Sequence, residues 1–183
     1  MSYRPICDVW ILARPKVKFY GAYPNGFLER ALPMVGASEH DRVLHLCGGR
    51  AKSYPNERLV RNAVTVDCDP DTKPDILADL SWDGLHWIDE HGPRGQWPAV
   101  LIDPPYTVDD HAKYACGDRV AMPKANHLLR LGLQLVKPGG RVGVLHYVWP
   151  QPPREGARSV ACIGVVCGFN NRMRCFSVFE RSA

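Results

Sequence analysis

The sequence predicts an α/β fold in which seven strands form a mainly parallel sheet, with a C-terminal antiparallel hairpin and helices on both faces. Two observations predict it. Short apolar runs alternate with stretches of helical periodicity, a pattern that favours parallel strands joined by helical crossovers. The last two apolar runs instead flank Gly168-Phe169-Asn170-Asn171, a turn sequence typical of a hairpin. The 183 residues suffice for one such domain, 1–183, and are too few for two.

The elements follow in chain order. Residues 1–24 are rich in proline, tyrosine and basic side chains and predict an irregular segment, after which a helix begins at Phe27 and ends near Gly36. Apolar runs predict the seven strands, at 42–46, 63–66, 75–78, 99–102, 141–147, 160–167 and 174–180. Further helices are expected at 56–62, 82–90 and 126–136. The stretch 107–124 is polar and predicts a long loop.

Composition limits the possible functions. The net charge is +4 and the isoelectric point about 8.7, which is compatible with nucleic-acid binding without requiring it. The seven cysteines include no C-x-x-C pair, so the sequence predicts no metal site and a reducing, cytoplasmic location. No apolar run approaches the length of a membrane span, and the N-terminus lacks the apolar core of a signal peptide. We therefore expect no membrane association.

Asp103-Pro104-Pro105-Tyr106 directly follows the apolar run 99–102. In open α/β sheets, ligands bind beyond the carboxyl ends of the strands. The tetrapeptide would place three groups there: a carboxylate, a backbone carbonyl held rigid by two prolines, and an aromatic ring. Alternatively, the prolines only end the strand and Asp103 caps a turn. The tetrapeptide alone does not decide between these two interpretations.

The three groups suit chemistry on the exocyclic amino group of a flat base. Such an amine is a weak nucleophile because its lone pair is delocalised into the ring. Hydrogen bonds from its two N–H groups to Asp103 and to the Pro104 carbonyl would help the nitrogen to pyramidalise. The Tyr106 ring could stack on the base, an interaction worth roughly 1–3 kcal/mol. Positioning and electrostatics, rather than deprotonation, would supply most of the rate gain.

At these residues the chain resembles the class I S-adenosylmethionine-dependent methyltransferases. More narrowly, it resembles the amino-methyltransferases that act on adenine N6 or cytosine N4, over residues 19–180. The resemblance implies a Rossmann-like domain, S-adenosylmethionine as the cofactor, and a catalytic motif formed by Asp103, Pro104, Pro105 and Tyr106. Two features differ from the usual family pattern. His45 stands where the first strand usually ends in an acid, and the glycine turn holds only Gly48-Gly49.

The resemblance also implies the residues that bind the cofactor. Asp67, at the end of the second strand, would bind the ribose hydroxyls, and Asp79, after the third strand, the adenine amino group. Residues 1–36 would flank the cofactor and the substrate. The full implied set is Tyr20, Tyr23, Cys47, Gly48, Gly49, Asp67, Cys68, Asp79, Leu80 and Asp103.

The implied activity is methyl transfer to an exocyclic base amine of DNA or RNA, with adenine N6 preferred. Two alternatives stay open: an acceptor that is a protein amide or a small amine, and a non-catalytic nucleic-acid-binding subunit of the same fold. The chain has no room for a separate target-recognition domain. Target contacts would then come from 1–24, 107–124 and 150–158, and a protein partner or a second copy of the chain could assist.

Overall fold

One sheet of eight strands organises the chain. A computed structural model describes residues 4–17, 19–53, 61–81, 94–114, 120–168 and 170–183, with side chains except at 170 and 171. The strands are β1 (Ile6–Leu12), β2 (Val43–Leu46), β3 (Val64–Asp67), β4 (Ile76–Leu77), β5 (Trp97–Ile102), β6 (Val136–His146), β7 (Ala157–Cys167) and β8 (Asn170–Arg181). Their order across the sheet is β1-β7-β8-β6-β5-β2-β3-β4.

The sheet is mainly parallel. Strands β6, β5, β2, β3 and β4 are parallel neighbours, and β1 runs parallel to β7 at the opposite edge. Strand β8 lies between β6 and β7 and is antiparallel to both. The carboxyl ends of β2 to β5 consequently share one edge of the sheet, which is where the predicted site residues follow their strands.

The predicted strand count is one too small, because β1 lies within the segment that was expected to be irregular. Only Trp10 and Leu12 of this strand are buried, so its sequence shows little of the apolar pattern of an interior strand. Its parallel pairing with β7, from Ile6 opposite Ala161 to Leu12 opposite Cys167, holds it in the sheet. This is a long-range contact that local sequence does not reveal.

Three α-helices lie within the described residues: α1 (Phe27–Met34), α2 (Val108–His111) and α3 (Ala125–Leu135). Helix α1 packs Phe27 and Leu32 on one face of the sheet, in a core with Trp10 and Val43. Helix α3 packs on the opposite face, in a second core that includes its own Leu128 and Leu129 and the sheet residues Leu44, Val100 and Val142. Helices therefore cover both faces, as the sequence predicts.

Helix α3 approaches the sheet closely at Gly132. A Cβ atom there would lie 2.9 Å from Val142 Cγ1 and 3.1 Å from Ile102 Cδ1. Glycine at this position lets the helix pack directly against β5 and β6, the strands next to the predicted catalytic motif.

Two predicted boundaries need correction. Helix α3 confirms the helix expected at 126–136, but the chain enters β6 at Val136 rather than at 141, because Val136 pairs with Trp97 before a register shift. The expected loop 107–124 contains α2. The helix expected at 82–90 lies outside the described residues, as does most of the one at 56–62. No helix in the described part of the chain is long and apolar enough to cross a bilayer.

Candidate active site

A pocket of about 250 Å³ opens at the shared carboxyl edge of β2 to β5. All ten residues predicted to contact the cofactor line it, and the described segments bring them together from five separate stretches of chain. Of the predicted catalytic motif, Asp103 and Pro105 reach the pocket wall. Pro104 and Tyr106 do not line it.

The turn after β2 lies tightly against β3. Cys47 and Gly49 have left-handed backbones, with φ of +53° and +49°. The Gly48 N–H donates to the Val66 carbonyl at 3.1 Å, and a Cβ on Gly48 would lie 3.1 Å from the side chain of Thr65. The short glycine turn therefore presents backbone directly to the pocket, the arrangement that lets a ligand approach the main chain closely.

Cys47 forms part of this turn and carries a half-buried thiol. Burial raises its pKa well above the ordinary value, and the carboxylates of Asp67, Asp103 and Asp79 add to the rise. The thiol therefore stays protonated, and Cys47 is a wall of the pocket rather than a nucleophile.

Asp67 ends β3 and fixes the glycine turn to it. Its Oδ2 accepts the Gly49 N–H at 2.8 Å, and its Oδ1 accepts the Asp69 N–H at 3.0 Å. Burial raises the pKa of Asp67. The Cys68 N–H also bonds to this carboxylate. A carboxylate offers about four acceptor positions, so these three bonds leave capacity for about one hydroxyl group in the pocket. The neighbouring Cys68 is disulfide-bonded. A disulfide counts against the reducing, cytoplasmic location that the cysteine pattern predicts.

Asp79 and Leu80 follow β4 and form the far end of the pocket. The Asp79 Oδ1 accepts the Ser81 N–H at 2.8 Å, and Leu80 is buried. An apolar side chain beside a carboxylate suits a flat heterocycle that carries an amino group.

Asp103 follows β5 and receives two tyrosine hydroxyls. Tyr106 donates to its Oδ1 at 2.5 Å, and Tyr23 hydrogen-bonds to the same carboxyl. Burial raises the pKa of Asp103 to about 6, and the two tyrosines and the charge of Arg174 oppose that rise. Asp103 is thus a carboxyl group that titrates near neutral pH and faces the pocket.

Tyr106 is held against the sheet rather than presented as a free stacking surface. Its ring centroid lies 5.4 Å from that of His146 and 4.7 Å from that of Tyr147, and the Arg174 guanidinium carbon lies 5.8 Å from it. The prediction that Tyr106 stacks on a base therefore requires this ring to move.

His146, the last residue of β6, supports the motif from the neighbouring strand. Its Nδ1 accepts the Val148 N–H at 3.0 Å, and its ring also bonds to the Pro105 carbonyl. Since Nδ1 is the acceptor, Nε2 carries the proton that is donated to Pro105. Desolvation lowers the pKa of His146, which keeps this neutral form. No sequence motif signals this contact.

The opposite wall of the pocket joins two loops. The Tyr20 hydroxyl donates to Asp110, and Lys113 Nζ lies 3.1 Å from the Tyr20 oxygen and 4.8 Å from its ring centroid. Gly21 has φ +78°, and a Cβ there would lie 2.8 Å from the Tyr114 hydroxyl. Asp110, Lys113 and Tyr114 were not predicted as site residues.

The described residues hold no group of three or more His, Cys, Asp or Glu side chains that could bind a metal ion.

No protein-family model matches the chain, and no curated protein matches it. Solved structures do. TrmN from Thermus thermophilus matches with a TM-score of 0.51 and 20% identity, over 84% of this chain and 48% of TrmN. The trans-methyltransferase CalH, in complex with S-adenosylhomocysteine, matches with a TM-score of 0.51 and 13% identity, over 83% of this chain and 54% of CalH.

A Streptococcus mutans protein assigned to the SAM-dependent methyltransferases matches with a TM-score of 0.53 and 12% identity, over 83% of this chain and 48% of its own. This chain thus spans about half the length of these structures. The likeness shows the fold, which is that of the class I S-adenosylmethionine-dependent methyltransferases.

Proposed function

We propose that the chain is an S-adenosylmethionine-dependent methyltransferase that methylates an exocyclic base amine of DNA or RNA, with adenine N6 as the preferred acceptor. One observation carries the proposal. Asp103, a carboxyl at the end of a strand, faces the same pocket as the predicted ribose and adenine acids Asp67 and Asp79. The same pocket would therefore hold the acids that bind the cofactor and the carboxyl that binds the acceptor amine.

The residues present fit S-adenosylmethionine. The glycine turn leaves main chain exposed to the pocket, Asp67 has free acceptor capacity for a ribose, and Asp79 beside Leu80 suits an adenine. The CalH structure contains S-adenosylhomocysteine in the same fold, which supports this choice. The cofactor would supply an electrophilic methyl group.

The chain's own residues would prepare the amine. Asp103 would accept one N–H of the amine. The Pro104 carbonyl would accept the other, which requires it to reach the pocket, because Pro104 does not line the pocket in this structure. The two bonds would direct the nitrogen lone pair toward the methyl group. A carboxyl with a pKa of about 6 can also take the amine proton after transfer and release it to water. The His146 bond to Pro105 would keep the prolines in place.

Basic and aromatic side chains beside Asp103 support a nucleic-acid substrate. Arg172 is exposed and bonds to Tyr147, and Arg174 lies against Tyr106. Arginine supplies contacts for phosphate, and tyrosine supplies a stacking surface for a base. The same domain would recognise the target nucleic acid, either alone or with a partner protein or a second copy of the chain.

The test is a methylation assay on purified protein with duplex DNA, single-stranded DNA and total RNA, read by mass spectrometry of the nucleosides. We expect one methylated nucleoside, N6-methyladenine in preference to N4-methylcytosine, that disappears in Asp103→Asn. The exposed neighbour Asp109→Asn is the matched control and should keep full activity. Transfer to a protein or small amine, with no methylated nucleoside, would contradict the nucleobase assignment.

A further inference from the structure

On the side of the sheet, Asp103 is linked through Tyr23 to a buried histidine, His45. His45, in β2, is only 1% exposed, and its Nε2 lies 2.6 Å from the Tyr23 hydroxyl oxygen. The two rings are nearly parallel, at 15° and 5.7 Å between centroids, and Tyr23 also stacks on Phe27 at 4.9 Å. Packing therefore fixes both rings, and the Tyr23 hydroxyl also hydrogen-bonds to the Asp103 carboxyl.

The direction of hydrogen bonding along this chain of groups follows from proton counting. Tyr23 has one hydroxyl proton and two neighbours, His45 and Asp103. When Asp103 is ionised it can only accept, so the hydroxyl proton goes to Asp103. His45 must then donate its Nε2 proton to the Tyr23 oxygen. Burial lowers the pKa of His45 to about 4, so at neutral pH it is an uncharged imidazole that can adopt this tautomer.

We infer that His45 and Tyr23 are positioning residues that act together on Asp103: the imidazole of His45 directs the Tyr23 hydroxyl proton to the carboxylate and holds that carboxylate toward the pocket. Its effect on methyl transfer rests on the proposed function. The hydrogen-bonded geometry itself does not.

This role explains why a histidine stands where an acid is usual. A carboxylate at position 45 could not donate to Tyr23 when ionised, and it would add a negative charge one side chain away from Asp103. Like charges make ionisation harder. A neutral imidazole donates a proton and adds no charge.

Among the described residues, several other groups act on Asp103 or respond to its charge, and none of them is substituted in the test. Tyr106 donates to it, Arg174 lies on the Tyr106 side, and Cys47 and Tyr114 feel its charge. Asp67 and Asp79 act on the same Cys47 thiol. None of these is altered by a change at His45 or Tyr23.

The first test requires no substrate. Carbon-13 NMR of protein labelled at the aspartate carboxyls, with the Asp103 signal assigned by its loss in Asp103→Asn, gives the titration midpoint of Asp103. We expect Tyr23→Phe and His45→Leu each to raise that midpoint by about one pH unit, the effect of losing one hydrogen bond to the charged form. His45→Gln, which keeps a neutral N–H donor near the Nε2 position, should shift it far less.

The second test separates positioning from packing. In methyl-transfer assays, Tyr23→Phe and His45→Leu should lower kcat roughly tenfold and move the acidic limb of the pH profile upward, with His45→Gln close to wild type. The exposed residue His40 provides the matched control, His40→Gln, which should change nothing.

Each outcome of these two tests either supports or overturns the inference. A midpoint that moves in the NMR titration while no methyl transfer is found supports the positioning pair and counts against the proposed function. An unchanged Asp103 midpoint in Tyr23→Phe and His45→Leu, or equal shifts in His45→Gln and His45→Leu, would overturn the inference and leave His45 as a packing residue.

Discussion

The two walls of the pocket are built differently. The strand wall consists of Cys47, Asp67, Asp79 and Asp103, which follow strands of the sheet and are tied to it by backbone bonds such as Asp103 N–H to the Leu46 carbonyl at 3.3 Å. The loop wall joins Tyr20 to α2 and the residues after it through side chains about ninety positions apart in sequence. Backbone hydrogen bonds to the sheet hold the strand wall in place, whereas the loop wall depends on a few partly exposed side-chain contacts.

The difference assigns different tasks to the two walls. Under the proposed function, methyl transfer would need a carboxyl held in a fixed position, and the sheet holds Asp103 in this way. The Tyr20–Asp110–Lys113 contacts are polar and partly exposed, so the loop wall would be the part of the pocket that adapts to a substrate. Substitutions in the strand wall should therefore have larger effects than substitutions in the loop wall.

The largest effect is expected at the end of β5. Asp103→Asn keeps the size of the side chain and removes the carboxylate that accepts the amine N–H. We expect kcat to fall about a thousandfold, the scale of removing one electrostatic contact to a transition state. The dissociation constant of S-adenosylhomocysteine, measured by calorimetry, should change less than threefold. Equal losses of binding and turnover would contradict a role in chemistry.

The next largest effect is expected at Asp67. Asp67→Ala removes the predicted ribose acceptor and also the bonds to the Gly49 and Asp69 N–H groups. We expect cofactor affinity to weaken roughly 30- to 100-fold, because hydrogen bonds to charged groups are worth about 1.5–3 kcal/mol each. Turnover at saturating cofactor should fall much less. Asp71→Ala on the same loop is the control, and an unchanged affinity in Asp67→Ala would remove the ribose assignment.

The Asp103 carboxyl in the strand wall should also lower the free energy of unfolding at neutral pH. The pKa of Asp103 is about 6 in the folded protein against an ordinary value of 3.8. Below pH 3.8 the Asp103 carboxyl is protonated in both the folded and the unfolded protein. As the pH rises through about 6, the carboxyl of the folded protein ionises and the stability that its protonated form contributed is lost. The full shift corresponds to about 3 kcal/mol, and we expect about half because the side chain is partly exposed.

Urea unfolding of Asp103→Asn measures this cost. The variant should be more stable than wild type by about 1–2 kcal/mol at pH 7.5, and the difference should vanish near pH 4. A difference that is the same at both pH values would show that the stabilisation is unrelated to ionisation of Asp103. The pKa of His45 is lowered to about 4, so this residue makes the native state lose stability as the pH falls, the opposite of the effect of Asp103. The comparison is therefore made between two proteins that both retain His45.

The smallest effect is expected in the loop wall. Tyr20→Phe removes the hydroxyl that bonds to Asp110 and Lys113. Partly exposed polar contacts contribute about 0.5–1 kcal/mol, so we expect KM for the acceptor to rise two- to fivefold with kcat nearly unchanged. Steady-state kinetics on Tyr20→Phe and Lys113→Met, singly and together, checks whether the two act as one contact. An effect as large as that of Asp67→Ala would contradict the division between the walls.

The same division describes what the sequence predicted. The sequence predicts the acids of the strand wall because each of them follows an apolar run, and the topology brings the ends of these runs to one edge of the sheet. The sequence does not predict the loop wall, because Asp110, Lys113 and Tyr114 lie in a polar stretch without periodicity and meet Tyr20 only through folding. Strand β1 was missed for a related reason, since one parallel neighbour and few buried side chains define it.

Two details of the strand wall also lay beyond the sequence. The tetrapeptide predicted a stacking tyrosine, but Tyr106 instead donates to Asp103 and packs on Tyr147. The sequence marks His45 as a departure from the acid that is usual at the end of the first strand, and the 2.6 Å contact to Tyr23 connects it to the site. Side-chain hydrogen bonds across separate elements have no signature in local sequence.

The measurement that tests the central claim most directly uses S-adenosylmethionine carrying a trideuteromethyl group. The wild-type protein and Asp103→Asn are incubated with it and nucleic acid, and the nucleosides are identified by mass spectrometry. We expect the deuterated methyl on an exocyclic nitrogen, with adenine N6 preferred, in the wild-type reaction and not in the variant. A protein that binds the cofactor and leaves every nucleoside unlabelled would contradict the assignment of Asp103 to base methylation.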